Sequence, residues 1–221
     1  MSIPVVPAII PRSENEVIEM TKTLRFSHEL HVDVVDGKFV SSVCWPYQPD
    51  GEPLAVKAHT DSYTLEVDLM VENPTVAAKE WVRAGADMLV FHIETIDLAS
   101  FIDCVTYDLP RDVSVGVSFS GDTPIESLFP YLPHADYVQI MGIHTIGLQG
   151  QSFEEVTFEK IKRIKKEFPH VPVGVDGSVN ESTIARLAKA GVDRLVVGSA
   201  IVGQENKEAA YKKLRALVDE V

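Results

Sequence analysis

Cysteine is nearly missing from this chain. Cys44 and Cys104 are the only two, and their positions form no metal-type spacing. That excludes a disulfide scaffold and fits reduced thiols in a reducing compartment. Basic residues are also scarce, with 20 Lys and Arg against 33 Asp and Glu and a formal charge of -13. Such a field repels a phosphodiester backbone or an anionic membrane face, so neither nucleic acid nor a membrane is expected as a partner. No apolar run approaches the length that spans a bilayer, and Met1-Ser2-Ile3-Pro4 lacks the basic-then-apolar layout of a signal peptide. The expected address is the cytoplasm. No stretch is low-complexity or linker-like, which leaves a single domain over residues 1–221 as the expectation.

What is present alternates. Short β-branched runs near 4–10, 30–35, 64–71, 87–92, 114–119, 137–141, 173–176 and 194–198 read as strands. Amphipathic stretches at 14–24, 75–84, 98–106, 124–131, 154–168, 181–190 and 205–221 read as helices, several opened by a Ser, Asn or Asp cap or an early Pro. Between the second and third strands, residues 38–61 are Pro-rich and leave room for only a short helix at 53–58. The run Arg83-Ala84-Gly85-Ala86-Asp87-Met88-Leu89-Val90 is echoed by Lys189-Ala190-Gly191-Val192-Asp193-Arg194-Leu195-Val196, each a helix, a glycine stop and a strand. Strand-then-helix repetition of this kind predicts an α/β fold, a single (β/α)₈ TIM barrel.

Side chains alternate along a strand, so in His31-Val32-Asp33-Val34-Val35 the histidine and aspartate share a face, which the barrel turns inward. A lone His or Asp is more often satisfied structurally than used as a ligand, but two adjacent inward polar positions shift that balance. In Leu65-Glu66-Val67-Asp68-Leu69-Met70, Glu66, Asp68 and Met70 face the same way. Asp176 ends an apolar strand just before Gly177, the position where barrel enzymes place catalytic groups. His92 and Glu94 end the fourth strand in a similar manner, and for His92 a core or supporting role weighs at least as much as a catalytic one.

Three strands thus deliver His31, Asp33, Asp68 and Asp176 to one rim. Three carboxylates repel one another unless a cation joins them, so one divalent metal ion is expected there, and an oxygen-rich shell suits Mn²⁺, Fe²⁺ or Mg²⁺ at least as well as Zn²⁺. A purely structural ion-pair network is the weaker reading, because these strand segments contain no Lys or Arg. Asp176-Gly177-Ser178-Val179-Asn180 and Gly198-Ser199-Ala200, after strands seven and eight, read as a phosphate rim of free backbone N–H groups. The glycine-containing loop 142–151 is placed to close over it.

These segments resemble the ribulose-phosphate 3-epimerase family, the ketose-phosphate 3-epimerases. The resemblance runs through most of the chain, on His31 through Val40, Asp68-Leu69-Met70-Val71-Glu72-Asn73-Pro74, Met141 with Gly150-Gln151-Ser152-Phe153, Val175 through Asn180, and Gly198-Ser199-Ala200-Ile201. It implies a ribulose-phosphate-binding barrel with a phosphorylated ketose as substrate, assembled as a homo-oligomer. Asp33 and Asp176 would form the acid/base pair, inverting a carbon through an ene-diolate stabilised by a cation that His31, Asp33, Asp68 and Asp176 hold. Met70 and Met141 would line the reacting carbon, with Gly150, Gly177, Ser178, Gly198 and Ser199 on the phosphate.

Departures from the family pattern bear on the site. Asp68 stands where the family usually has a second metal-ligand histidine, which adds charge and weakens the preference for zinc. Ala8 replaces a common serine, Val35 a usual methionine, and the loop 142–151 lacks the usual Asn-Pro. The segment 41–62 also differs, and Trp45 and Tyr47 within it read as a lid, a dimer contact or surface packing. The expected reaction is the interconversion of D-ribulose 5-phosphate and D-xylulose 5-phosphate. Epimerisation of a hexulose 6-phosphate and non-catalytic sugar-phosphate binding are the alternatives. A decarboxylase or aldolase ranks lower, because the Asp-x-Lys-x-x-Asp run of that group has no counterpart lysine on the third strand.

Overall fold

A computed structural model describes residues 3–147 and 150–221; Met1, Ser2, Leu148 and Gln149, two of them inside the loop 142–151, lie outside the described residues. Eight strands, β1 (Val5–Ile9), β2 (Glu29–Val35), β3 (Thr64–Met70), β4 (Met88–His92), β5 (Ser114–Ser118), β6 (Tyr137–Met141), β7 (Val173–Asp176) and β8 (Arg194–Val197), pair in parallel in chain order. Closure comes from β8 pairing back onto β1. The chain is therefore a single (β/α)₈ TIM barrel.

Each strand is buried on two faces. Val32, Val34, Val67 and Leu69 point at the helices and are fully covered, while the alternate residues fill the barrel. Register sets which of those fillers meet: His31 pairs with Glu66, Asp33 with Asp68 and Val35 with Met70 between β2 and β3, and Met141 pairs with Asp176 between β6 and β7. Paired residues in a parallel ladder point the same way, so the inward polar rows of neighbouring strands lie side by side. Gly116 on β5 makes room for one of these fillers, since a Cβ there would sit 2.4 Å from the Tyr137 ring.

The outer layer consists of α1 (Glu14–Thr23), α2 (Lys57–Thr60), α3 (Pro74–Arg83), α4 (Leu98–Asp103), α5 (Val156–Glu167), α6 (Ile184–Lys189), α7 (Ser199–Val202) and α8 (Lys207–Asp219). Caps set several starts: the Ser13 hydroxyl accepts from Glu16 N–H at α1, and the Asn206 side chain accepts from Ala209 N–H at α8. Among the described residues no helix is long and apolar enough to cross a membrane.

Four helix expectations change. Residues 124–131 hold no α-helix; two 3₁₀ turns, Ile125–Leu128 and Leu132–His134, take its place. Pro130 within the stretch and Pro133 just beyond it each remove a backbone donor, so an α-helical ladder cannot run on past the first turn. The weak helix at 53–58 is a 3₁₀ turn, Pro53–Val56, running into α2. The helix at 98–106 is α4 continued by a π turn, Cys104–Asp108. The expected helix 181–190 begins only at Ile184, because Asn180 first forms a turn whose side chain accepts from Ser182 N–H, and a short helix, α7, precedes α8.

Trp45 is neither lid nor surface packing. It is 1% exposed and meets Trp81 of α3 edge-on, with ring centroids 6.0 Å apart, so it fills the core between the 41–62 segment and the helical layer.

Candidate active site

The carboxyl ends of the strands open onto a cavity of about 190 Å³. Asp33 from β2, Met70 from β3, Met141 from β6 and Asp176 from β7 line it, together with Gly177, Ser178, Gly198 and Ser199 from the last two crossovers. Gly150 completes this set from the loop after β6. His31 and Asp68 lie one step deeper and are 0% exposed. One ligand atom each from His31, Asp33, Asp68 and Asp176 falls within 4.8 Å of the others. Every residue expected at the site is therefore at this mouth or directly beneath it.

The deeper residues are held by a second polar layer. His31 Nδ1 donates to Glu66 Oε2 at 2.9 Å, which leaves Nε2 facing Asp33 Oδ1 at 3.3 Å. With Nδ1 committed to Glu66, Nε2 is the ring nitrogen turned toward the other donors of the cluster. Glu66 also accepts from the Tyr137 hydroxyl at 2.8 Å and from Arg194 Nε at 3.0 Å, and Arg194 in turn bonds Glu29. Burial alone would raise the Glu66 pKa; Arg194, His31 and Tyr137 outweigh it and bring it down to about 2. Glu66 is thus an ionised structural acid, and part of the inward charge belongs to an ion-pair network that Arg194 closes from β8.

The upper cluster lacks that balance. Burial, with Asp33 next, pushes Asp176 up to about 8. Burial likewise raises Asp33, against the opposing hydrogen bond from His31. His31 is disfavoured as a cation by burial, but Asp33 and Glu66 more than compensate and raise its pKa well above the usual imidazole value. No Lys or Arg is among the described residues that line the cavity. Three carboxylates and one imidazole, gathered in a buried space whose described lining has no Lys or Arg, form a donor set that fits a divalent metal.

Asp68 is gripped from two sides. His92 Nε2 donates to its Oδ1 and Gln139 Nε2 to its Oδ2, each at 2.8 Å. His92 is thus a supporting residue that does not line the cavity. Glu94 turns away, exposed, and accepts from Ser120 N–H and the Thr123 hydroxyl.

The phosphate rim is built from tight backbone. Ser178 has φ 54°, a conformation rare outside glycine that concentrates at ligand sites. Gly142 lets the loop after β6 run against β7: its N–H donates to Asp176 O at 2.6 Å, and a Cβ would stand 2.2 Å from Gly177 O. Ser42 fastens the loop's far side, donating to Gly147 O at 2.7 Å, and the Gln151 amide bonds Thr145 within it.

Sequence reasoning missed Gln139 and Tyr137, and it did not connect Arg194 to the site. Each stands as a polar residue in an otherwise apolar strand, which was the available signal. Their partners lie more than 70 positions away in the chain.

The family profile described as the Ribulose-phosphate 3 epimerase family matches residues 3–202. This chain belongs to that family. It is 31% identical over 194 residues to the cytoplasmic isoform of ribulose-phosphate 3-epimerase from Oryza sativa subsp. japonica, covering 86% of this chain and 82% of that protein. Identity to the ribulose-phosphate 3-epimerase of Aquifex aeolicus is 33% over 196 residues, covering 86% and 84%. Among solved structures, a 3-hexulose-6-phosphate synthase from Salmonella typhimurium superposes with TM-score 0.73 at 16% identity, over 100% of this chain and 99% of that one. At that identity the likeness is one of fold alone.

Proposed function

We propose that this chain is a metal-dependent ketose-phosphate 3-epimerase that interconverts D-ribulose 5-phosphate and D-xylulose 5-phosphate. The observation that carries the reading is the convergence of Asp33 and Asp176, from β2 and β7, in one cavity above His31 and Asp68. Family membership supports the same chemistry. The proton between a ketone and a hydroxyl-bearing carbon is weakly acidic, so its removal needs a placed base and a stabilised enediolate. When bound, a divalent cation supplies the positive charge that such an enediolate requires.

The chain's own residues do the rest. One aspartate takes the proton from one side of the carbon, and the other returns a proton from the opposite side, which inverts the centre. Burial shifts both carboxylates toward the protonated form, Asp176 up to about 8, where a carboxyl can keep or release a proton near neutral pH. Met70 and Met141 wall the reacting carbon with apolar surface that excludes water. The phosphate is received by Gly177, Ser178, Gly198 and Ser199, with Gly150 from the loop above.

A hexulose 6-phosphate is the second substrate reading, and Ala8 motivates it, since a methyl group lines the cavity where a hydroxyl would narrow it. The decarboxylase reading needs a lysine on β3, and Thr64–Met70 has none.

A coupled assay with added Mn²⁺, Fe²⁺, Mg²⁺ or Zn²⁺ tests the proposal, with catalytic efficiency compared on the pentulose and hexulose phosphates. Absence of turnover with every ion while pentose phosphate still binds would sink it. Asp176→Asn is expected to lower turnover about 10²- to 10⁴-fold with melting behaviour preserved; wild-type turnover in that variant removes Asp176 from the acid/base pair.

A further inference from the structure

Asp68 is a fully buried carboxylate whose two oxygens are each occupied by a donor from a different strand, His92 on β4 and Gln139 on β6. Two hydrogen bonds of 2.8 Å fix the carboxylate plane and leave lone pairs free on both oxygens. Gln139 is 1% exposed, His92 is 0% exposed, and neither lines the cavity; their hydrogen bonds to a metal-site carboxylate run to Asp68, and Gln139 also makes a long contact of 3.8 Å with Met141 Sδ. The remaining His92 nitrogen, Nδ1, is buried without a hydrogen-bond partner among the described residues, so Asp68 is the side-chain polar contact of this ring.

The donors answer a specific difficulty. A third carboxylate beside Asp33 and Asp176 lacks water to solvate it at this depth, and N–H groups aimed at its two oxygens replace that water. A tethered oxygen donor also differs in kind from the alternatives. Zinc favours nitrogen and sulfur ligands in a tetrahedron, whereas harder divalent ions favour oxygen and higher coordination numbers.

Building on the metal-centre reading above, we propose that Gln139 and His92 are positioning residues that present Asp68 as a fixed oxygen ligand and so narrow zinc's intrinsic advantage over a hard cation such as Mn²⁺. The residue whose loss best isolates this effect is Gln139, because it does not itself line the cavity and Gln139→Met keeps an apolar neighbour for Met141.

Calorimetric titration of chelator-stripped protein with Mn²⁺ and separately with Zn²⁺ tests the assignment. The samples are wild type, Gln139→Met, Gln139→Glu, Asp68→His, and Asp68→His combined with Gln139→Met, each with a thermal melt. Gln139→Met, which keeps the volume and removes the donor, is expected to weaken Mn²⁺ binding about 10- to 100-fold. Gln139→Glu, which puts an acceptor where the donor stood, loses at least as much. In the Asp68→His background the same Gln139→Met change shifts Mn²⁺ affinity less than about threefold, and Asp68→His alone raises the zinc-to-manganese affinity ratio at least about tenfold.

Mn²⁺ affinity unchanged in folded Gln139→Met and Gln139→Glu, an equal loss in both backgrounds, or an unaltered ion ratio in Asp68→His overturns the proposal. Pentulose-phosphate turnover is followed on the same samples at saturating Mn²⁺. Turnover with affinities indifferent to Gln139 sinks this assignment alone, and the predicted affinities without turnover sink the epimerase reading alone.

Discussion

Two polar layers are stacked inside the barrel, and they treat charge in opposite ways. In the lower layer, Glu66 and Glu29 meet Arg194, with His31 Nδ1 and the Tyr137 hydroxyl completing the Glu66 hydrogen bonds. In the upper layer, Asp33, Asp68 and Asp176 share the His31 imidazole, with His92 behind Asp68 and no Lys or Arg among the described residues lining the cavity. The lower layer is balanced by the chain itself and is structural. The upper layer is left with surplus negative charge, which is the electrostatic mark of a place reserved for a cation and for proton transfer.

The contrast breaks most severely at Arg194. Arg194→Met leaves Glu66 as a buried carboxylate with its cation gone, and loss of one partner of a buried pair costs about 3–5 kcal/mol. Urea denaturation is expected to show that loss, and a change below 1 kcal/mol would mean that the lower layer does not depend on its ion pair.

A smaller effect separates the layers by pH. In the metal-free protein Asp33, Asp176 and His31 all have raised pKa values, so the native state binds more protons than the unfolded chain. The sign follows: stability is greatest toward the acid end of the window from about pH 4, near the unfolded aspartate value, to Asp176's value of about 8, and it falls as pH rises through that window. Glu66, lowered to about 2, adds an opposite slope only at the acid end, where the unfolded glutamate still binds protons, and none between pH 6 and 8. Melting of chelator-stripped protein is thus expected to drop between pH 6 and 8, with saturating Mn²⁺ reducing the drop. A flat or rising profile without metal contradicts the surplus charge assigned to the upper layer.

The mildest probe is steric. Gly116→Ala pushes a methyl group into the Tyr137 ring and is expected to cost about 1–3 kcal/mol by overpacking. Pairing it with Tyr137→Phe keeps the clash and removes the hydroxyl, so the combined loss in a denaturant titration should exceed that of Gly116→Ala alone.

The upper layer was legible in the sequence because its members announce themselves locally. His31 and Asp33 alternate within one strand, Asp68 does so in the next, and Asp176 precedes a glycine at a strand end. The lower layer was not, apart from Glu66. Arg194, Tyr137 and Gln139 acquire meaning only when β6 and β8 are brought across the barrel from β3, a relation set by closure and register that no window of neighbouring residues contains. The failed helix at 124–131 has a local cause instead: its apolar spacing resembles a helix, while Pro130, with Pro133 close behind, withholds the donors that continuing it requires.

A phosphate rim without lysine or arginine has a kinetic consequence. The protein and a sugar phosphate are both anions, the chain with a formal charge of -13, and no Lys or Arg among the described residues lining the cavity offsets that repulsion. Dissolved counter-ions must shield the approach, so encounter is slowest in dilute buffer and quickens as salt is added, up to the point where the long-range repulsion is screened. Recognition then begins only at contact, through backbone amides and hydroxyls whose strength salt barely alters.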